Sequence, residues 1–294
     1  MSDVPAQLTV VTGEDSPARS RLTSVMIHVA LLAASVIMLY PLLWLLAASF
    51  RPENEIFTSA SIIPSSWSID SYFRGWNGLR TSFGTFYINS FIISGLSVIG
   101  NVLACSMAAY AFARLNFKYK NFWFALMLMT LMLPYQVTLI PQYVLFRGLG
   151  WVNTFMPLVV PKFLAADGFF IFLMVQFFRG LPRELDEAAQ MDGCSPWRIY
   201  WKIILPLSTP VLATAAIFTF IWTWDDFFGP LIYLSEMKSY TVMLGLRTFT
   251  DSTGESDFGG LFAMSVLSLI PIFLFFLFFQ RMLIEGIATT GMKR

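Results

Sequence analysis

The chain predicts an all-α membrane protein with six transmembrane helices. Three observations predict it: the composition, the length of the apolar runs, and the polarity of the stretches between them. Of the 294 residues, 56% are hydrophobic and 13% charged, and mean hydropathy is +0.66. A soluble domain carries roughly 25% charged residues. This chain lacks the polar groups to cover a surface in water, so lipid is its expected solvent. The net charge of +1 and the absence of a basic block give no reason to expect a nucleic-acid partner.

The first 20 residues are polar, rich in Ser, Thr, Pro and acids, and read as a disordered tail. Residues 21–294 read as one transmembrane domain. A helix needs about 20 mostly apolar residues to cross a bilayer. Six stretches are candidates: Ser24–Ala48, Tyr87–Phe112, Phe122–Val144, Thr154–Phe178, Thr209–Trp224 and Leu261–Ile284. The first far exceeds the apolar core of a signal peptide, about 7–15 residues, so it reads as a retained span. The fourth is interrupted by Pro157, Pro161, Lys162, Asp167 and Gly168, and irregular backbone is expected in its outer half. Lipid tolerates such irregularity only where protein or a cavity covers it. The fifth is short and has room to begin a few residues earlier.

Six spans put both termini on one side. Of the 19 Lys and Arg residues, twelve fall on that side, including Arg19, Arg114, Lys118, Lys120, Arg179, Arg183, Arg198 and Lys202. Seven fall on the other, among them Arg51, Arg74 and Lys238. The bias puts the termini in the cytoplasm. Two long outer loops, Arg51–Phe86 and Asp225–Gly260, are too polar to span and suit either a soluble extracytoplasmic partner or plain solvation. Trp44, Trp222 and Trp224 fit an interfacial aromatic belt.

The most informative segment is Arg179–Ser208, RGLPRELDEAAQMDGCSPWRIYWKIILPLS, polar and amphipathic between two apolar runs. It reads as two short helices. Pro182 suits the first turn of the first, where its missing N–H costs nothing. Glu184, Asp186 and Glu187 complement the positive end of the helix dipole. Gly193 supplies a C-terminal stop. Ser195 and Pro196 read as N-cap and first residue of the second helix, and Pro206 as its end. The spacing fits docking onto a soluble partner, an interfacial helix on lipid headgroups, or a folded loop.

The residues themselves carry a resemblance. Glu187-Ala188-Ala189, then Asp192-Gly193, then Ile203, Leu205 and Pro206 are similar to the EAA signature of ABC importer permeases. The local form PRELDEAAQMDGCSPWRIYWKIILPLSTP resembles the carbohydrate-uptake branch, in particular its maltose-permease G-type subunits. Gln176-Phe177-Phe178 before Arg179, Trp224-Asp225-Asp226-Phe227, and Thr290-Gly291-Met292-Lys293 extend the likeness along the chain. The resemblance implies a type I ABC importer permease fold in a bacterial or archaeal inner membrane. It also implies a second permease subunit, two ATP-binding subunits that carry ATP-Mg, and an extracytoplasmic substrate-binding protein. By position, Glu187, Ala188, Ala189, Asp192 and Gly193 would make the coupling contact, with Glu187 facing the ATPase cleft.

The chain itself has no G-x-x-x-x-G-K-[S/T] loop for ATP and no H-E-x-x-H or Cys/His cluster for a metal. His28 is the one histidine, near the start of the first span, where a structural or headgroup role is expected. No cofactor and no enzymatic activity are therefore expected of this subunit. Cys105 and Cys194 fall on different levels and are expected to be unpaired.

Polar groups inside spans are candidate pathway residues, because burying a charge at the bilayer centre costs about 2.5–3.5 kcal/mol on insertion scales. They are Asn89, Asn101, Gln136, Lys162, Asp167 and Gln176, joined by Tyr135 and Trp222 as aromatic surfaces for a sugar. The competing role for Asn and Gln is helix-to-helix bonding, worth on average about 0.6 kcal/mol. Lys162 and Asp167 are five apart, a spacing that a regular helix would not align. Two other functions fit the apolar pattern: a self-sufficient secondary transporter or channel using Lys162 or Asp167, and an ABC importer for a polyol or glycerol phosphate. The first would show paired interrupted spans in repeated halves, and only the fourth span is clearly interrupted.

Overall fold

The computed structural model describes residues 17–58, 61, 63–250 and 256–291. The described residues are helical, with no strand among them. The expected disorder of the N-terminal tail falls on residues 1–16, which lie outside the described residues. Helix α1 (Pro17–Ser49) starts at a proline, a residue pre-set for the first helical position.

After α1 come α2 (Asp70–Asn77) and α3 (Phe83–Arg114), then α4 (Lys120–Thr130) and α5 (Tyr135–Gly148). Helices α6 (Met156–Phe163) and α7 (Gly168–Gly180) follow, then α8 (Glu184–Met191), α9 (Pro196–Ile199), a π-helical turn (Tyr200–Ile204) and α10 (Leu205–Leu207). The last are α11 (Thr209–Trp224), α12 (Phe228–Tyr233), α13 (Val242–Leu246) and α14 (Phe258–Gly291). Four stretches are long and apolar enough to cross a membrane: Thr23–Ser49, Phe83–Arg114, Met156–Gly180 and Phe258–Gln280. Two bent pairs, α4 with α5 and Pro196–Leu207 with α11, bring the number up to six where each pair is counted as one span.

The third expected span is not one straight helix. Phe122–Val144 turns by 99° between α4 and α5. Pro134 stands at the break, where it caps α5 and pushes Leu133 out of helical conformation. The fourth is interrupted where its composition implied, between α6 and α7, with Ala165 at a φ of 51°.

Helix α3 is the shaft of the bundle. Its buried face is a run of small and polar side chains, Ser90, Ser94, Ser97, Gly100, Asn101, Ala104, Cys105, Ala109 and Ala113. In lipid there is little hydrophobic gain from bringing two helices together, so close approach and interhelical hydrogen bonds must hold them. Small residues permit both. α3 packs on α6, α7, α11 and α13, and α11 in turn packs on α14. Asn101 donates to Thr219 Oγ1 on α11 at 2.7 Å, and Cys105 donates to Asn101 Oδ1 at 3.0 Å.

Two cores lie at opposite ends of α3. One gathers Phe83, Phe86, Phe220, Trp224, Val242 and Met264. Trp224 is buried there and donates its indole N–H to the Ser268 carbonyl at 3.1 Å. The other gathers Tyr110, Phe170, Met174, Phe178, Ala189, Tyr200 and Ile204. The second core therefore includes residues of the polar segment as well as of the spans. Helix α1 is largely exposed along residues 23–42 and packs on α14. Both cysteines are free, Cys105 buried and Cys194 half-buried.

Close packing at the first core gives a test. A Cβ at Gly245 would overlap the ring of the fully buried Phe86, whereas one at Gly95 on α3 would meet nothing within 4 Å. Gly245→Ala is expected to cost about 1–3 kcal/mol by overpacking, and Gly95→Ala to cost nothing. The thermal midpoints of the two variants in detergent check this.

Candidate functional site

The polar segment folds as a helical hairpin. Arg183 caps α8, its carbonyl accepting from the Asp186 and Glu187 N–H groups at 2.9 and 3.1 Å. Pro182 thus lies one residue before the cap and not in the first turn. Glu184, Asp186 and Glu187 occupy that first turn. At the far end, Gly193 has a φ of 76°. Its N–H donates to Gln190 O at 2.9 Å, and the Cys194 N–H donates to Ala189 O at 2.9 Å. These paired bonds are the Schellman closure, which favours glycine because an L side chain is strained at that φ. Ser195 Oγ then accepts from the Arg198 N–H at 3.4 Å, with Pro196 as first residue of α9. The second arm runs past Pro206 to Leu207, and the chain turns by 77° into α11. Pro206 is in its last turn and is not its last residue.

Four contacts fasten this hairpin to the C-terminal half of α3. Arg114 Nη1 pairs with Asp186 Oδ2 at 2.9 Å, with the two side chains only 4% and 13% exposed. Arg114 Nη2 donates to the Leu181 carbonyl at 2.9 Å. Tyr110 Oη donates to the Pro196 carbonyl at 3.0 Å. Ser106 Oγ and Tyr200 Oη share a hydrogen bond of 2.7 Å. One arm of the hairpin is held by the ion pair and the other by the two tyrosines.

The five expected coupling residues divide by burial. Glu187, Ala188, Asp192 and Gly193 are exposed around the tip. Ala189 is buried among Tyr110, Ile199 and their neighbours, so it seats the hairpin and offers no outer surface. Met191 is 88% exposed at the apex and was not among the expected residues. An apolar side chain held out from an otherwise polar tip was the available signal.

The polar residues of the spans separate into three groups. Asn89 and Asn101 are buried and structural. Asn89 donates to the Lys238 and Tyr240 carbonyls at 2.8 and 2.9 Å, and Asn101 is spent on Thr219 and Cys105. Gln136 and Gln176 are exposed on α5 and α7. Of the remaining four, Lys162, Asp167 and Trp222 lie near the start of α7, and Tyr135 is linked to them through the field of Asp226. Lys162 Nζ pairs with Asp167 Oδ2 at 3.0 Å, because the chain leaves helical geometry at Ala165 and is not bound by the spacing that a regular helix would impose. Trp222 is half exposed and rests its ring on Phe169 and Phe170, the residues that follow Asp167 and Gly168. Tyr135 is half exposed and lies in the field of Asp226, which also interacts with Lys162. Asp226 was absent from the expected set. Burial pushes its carboxyl up, and the N–H groups of Gly229 and Phe228 and the Lys162 charge partly oppose this. No group of His, Cys, Asp and Glu suited to a metal occurs among the described residues.

The hairpin's fastening predicts the effect of cutting it. Arg114→Ala leaves Asp186 charged and largely buried, which costs about 3–5 kcal/mol where a buried pair loses one member. Hydrogen exchange over α8 should accelerate, and Asp186→Asn in the same background should restore part of the protection. Unchanged exchange in Arg114→Ala would contradict the clamp.

Residues 100–288 match the family model described as the inner membrane component of binding-protein-dependent transport systems. The chain is 36% identical over 260 residues to the arabinooligosaccharides transport system permease protein AraQ of Halalkalibacterium halodurans, covering 87% of this chain and 92% of that one. It is 30% identical over 273 residues to the trehalose/maltose transport system permease protein MalG of Thermococcus litoralis, covering 92% and 98%. Its fold superposes with a TM-score of 0.80, at 21% identity, on the crystal structure of a bacterial ABC transporter involved in import of the acidic polysaccharide alginate, covering 91% of this chain and 98% of that one. The match spans the hairpin, the shaft helix from Gly100 onward and the later spans, and it sets aside a self-sufficient secondary transporter or channel. The chain belongs to the inner-membrane permease family of binding-protein-dependent ABC transport systems.

Proposed function

We propose that this chain is one permease subunit of an ATP-driven importer for a sugar or oligosaccharide. It works by alternating access with a second permease, two ATP-binding subunits and an extracytoplasmic binding protein. The observation that carries the reading is the hairpin: an exposed tip of Glu187, Ala188, Met191, Asp192 and Gly193 on a base bonded to α3 at both arms. The carbohydrate assignment rests on the relatives named for arabinooligosaccharides and for trehalose and maltose. The positive-inside bias supports a cytoplasmic hairpin and cytoplasmic termini, in a bacterial or archaeal inner membrane.

In this reading each ATP-binding subunit receives one hairpin in a cleft. Glu187, in the first turn of α8, offers a charge to a basic group on the cleft wall. Met191 offers an apolar contact. ATP-Mg acts on those partner subunits, and closure of the pair draws the two hairpins together. The clamp passes that motion to α3, and α3 passes it to α11 and α7. Substrate-loaded binding protein and nucleotide each shift the balance of outward and inward shapes through their differential affinity for the two. The patch of Tyr135, Lys162, Asp167, Trp222 and Asp226 is the part of this subunit best suited to a polar solute, with an aromatic face beside paired charges. Gln136 and Gln176 offer exposed amides along the same pathway, while Asn89 and Asn101 hold the frame.

The experiment is substrate-stimulated ATPase and uptake in vesicles carrying the whole assembly. Glu187→Arg is expected to leave the subunit assembled in the membrane and to lower stimulated ATPase about tenfold or more, as for a loss of roughly 1.4 kcal/mol of docking free energy. Gly193→Pro should act likewise, because proline cannot adopt a φ of 76° and removes the N–H bonded to Gln190. Normal stimulation and uptake in both variants would remove the coupling role. Stimulation by a polyol or glycerol phosphate and by no oligosaccharide would remove the sugar assignment and leave the coupling intact.

A further inference from the structure

Beside the root of the hairpin lies a cavity of about 810 Å³ whose wall carries four cations, Arg114, Lys120, Arg179 and Arg183, and no carboxylate. Arg114 is already committed to Asp186. The other three come from two separated stretches, the start of α4 and the end of α7 with the residues beyond it. The fold holds them close enough that the charges of Arg179 and Arg183 act on Lys120. Like charges brought together cost free energy unless something neutralises them. Lys120 Nζ donates to the Leu115 carbonyl at 2.7 Å, which keeps its head turned over the α3–α4 connection. The Arg179 guanidinium lies over the Phe124 ring, 5.1 Å from its centroid. Both contacts orient a charge without cancelling it.

The rim of the cavity has a second character. Phe117, Tyr119 and Phe122 are 40%, 66% and 61% exposed, and Trp123 beside them is 49% exposed. Exposed aromatics at a span end belong at headgroup level. The turn that presents them is fixed by Tyr119 in the left-handed region at a φ of 60°. Basic pockets between spans at the cytoplasmic face are suited to anionic headgroups, each nearby Lys or Arg contributing about 1 kcal/mol.

We infer that this cavity binds a phosphate-bearing anion, held by Lys120, Arg179 and Arg183, and that the headgroup of an anionic phospholipid is its natural source. The site is separate from the tip that the proposed coupling uses, so the inference does not require the ATPase contact. It would brace the base of the hairpin, since Arg183 caps α8 and Arg179 lies in the last turn of α7.

Native mass spectrometry of the full chain, purified in a mild detergent and titrated with phosphatidylglycerol or phosphatidylcholine, tests it. Inorganic phosphate serves as a third probe, read as a rise in thermal midpoint because a ligand that binds only the folded state stabilises it. Phosphatidylglycerol should bind in preference to phosphatidylcholine. Arg183→Gln and Lys120→Gln should each weaken that binding roughly fivefold. Lys238→Gln with Arg247→Gln, which removes two charges far from the cavity against one in each cavity variant, should leave it unchanged. Phosphate alone raising the midpoint in a Lys120- and Arg183-dependent way, without lipid preference, would support the anion site with a soluble source. Equal binding of the two lipids with no phosphate effect would overturn the inference. So would variants at the cavity that behave like the remote pair. Arg183 is exposed at the helix cap, so its variant keeps the test valid should Lys120→Gln unfold the α3–α4 turn.

Discussion

The rest of the molecule depends on how the hairpin is joined to α3. A loop between two spans would by itself transmit little force, because a polar chain in water bends before it pushes. Here the base is held at three levels of one helix: Ser106 to Tyr200, Tyr110 to Pro196, and Arg114 to Asp186. The first and second are four residues apart, as are the second and third, so all three lie along one stripe of α3. A buried ion pair adds little to net stability, since desolvation offsets most of the attraction. What such a pair supplies is penalty against any other arrangement, because separating Arg114 from Asp186 strands a charge. Together with the Schellman closure at Gly193, this fastens the hairpin to α3 as one piece.

The same economy explains the polar residues within the spans. A lipid-facing protein cannot leave backbone or side-chain polar groups unsatisfied, so irregularity must be covered. The break at Ala165 is placed against α3, where Cys105 lies 3.7 Å from the Asp167 carbonyl. The Lys162–Asp167 pair neutralises itself across the break. Asp226 lies in its field and Trp222 rests on Phe169 and Phe170 just beyond it, so charge, aromatic surface and irregular backbone lie close together.

Composition and run length made the helical membrane fold legible, because they report the solvent. Capping chemistry made the hairpin legible, because caps are local: Ser195, Pro196 and Gly193 do in the structure what their identities imply. Prolines were less readable. Pro182 and Pro206 each sit about a residue from the expected boundary, which is the ordinary imprecision of helix ends. Pro134 bends the third span by 99°, and nothing in its flanking residues distinguishes a kink from a tolerated proline. The polar span residues were the least legible. Asn89 and Asn101 owe their roles to partners more than one hundred residues away in sequence, and Arg114 to one seventy-two residues away, so no local spacing announces them. Lys162 and Asp167 looked misaligned only because helical geometry was assumed across a break that the chain uses to join them.

The central claim is that hairpin and shaft move as one body. Spin labels at Gln190 on the tip and Met107 on α3, in an assembly whose Cys105 and Cys194 are replaced by alanine, measure it directly by pulsed electron paramagnetic resonance. A single narrow distance, unchanged between nucleotide-free and ATP-trapped states while the two hairpins of the assembly approach each other, is the predicted result. A distance between Gln190 and Met107 that broadens or shifts with nucleotide would contradict the account, since the lever would then be bending at its base.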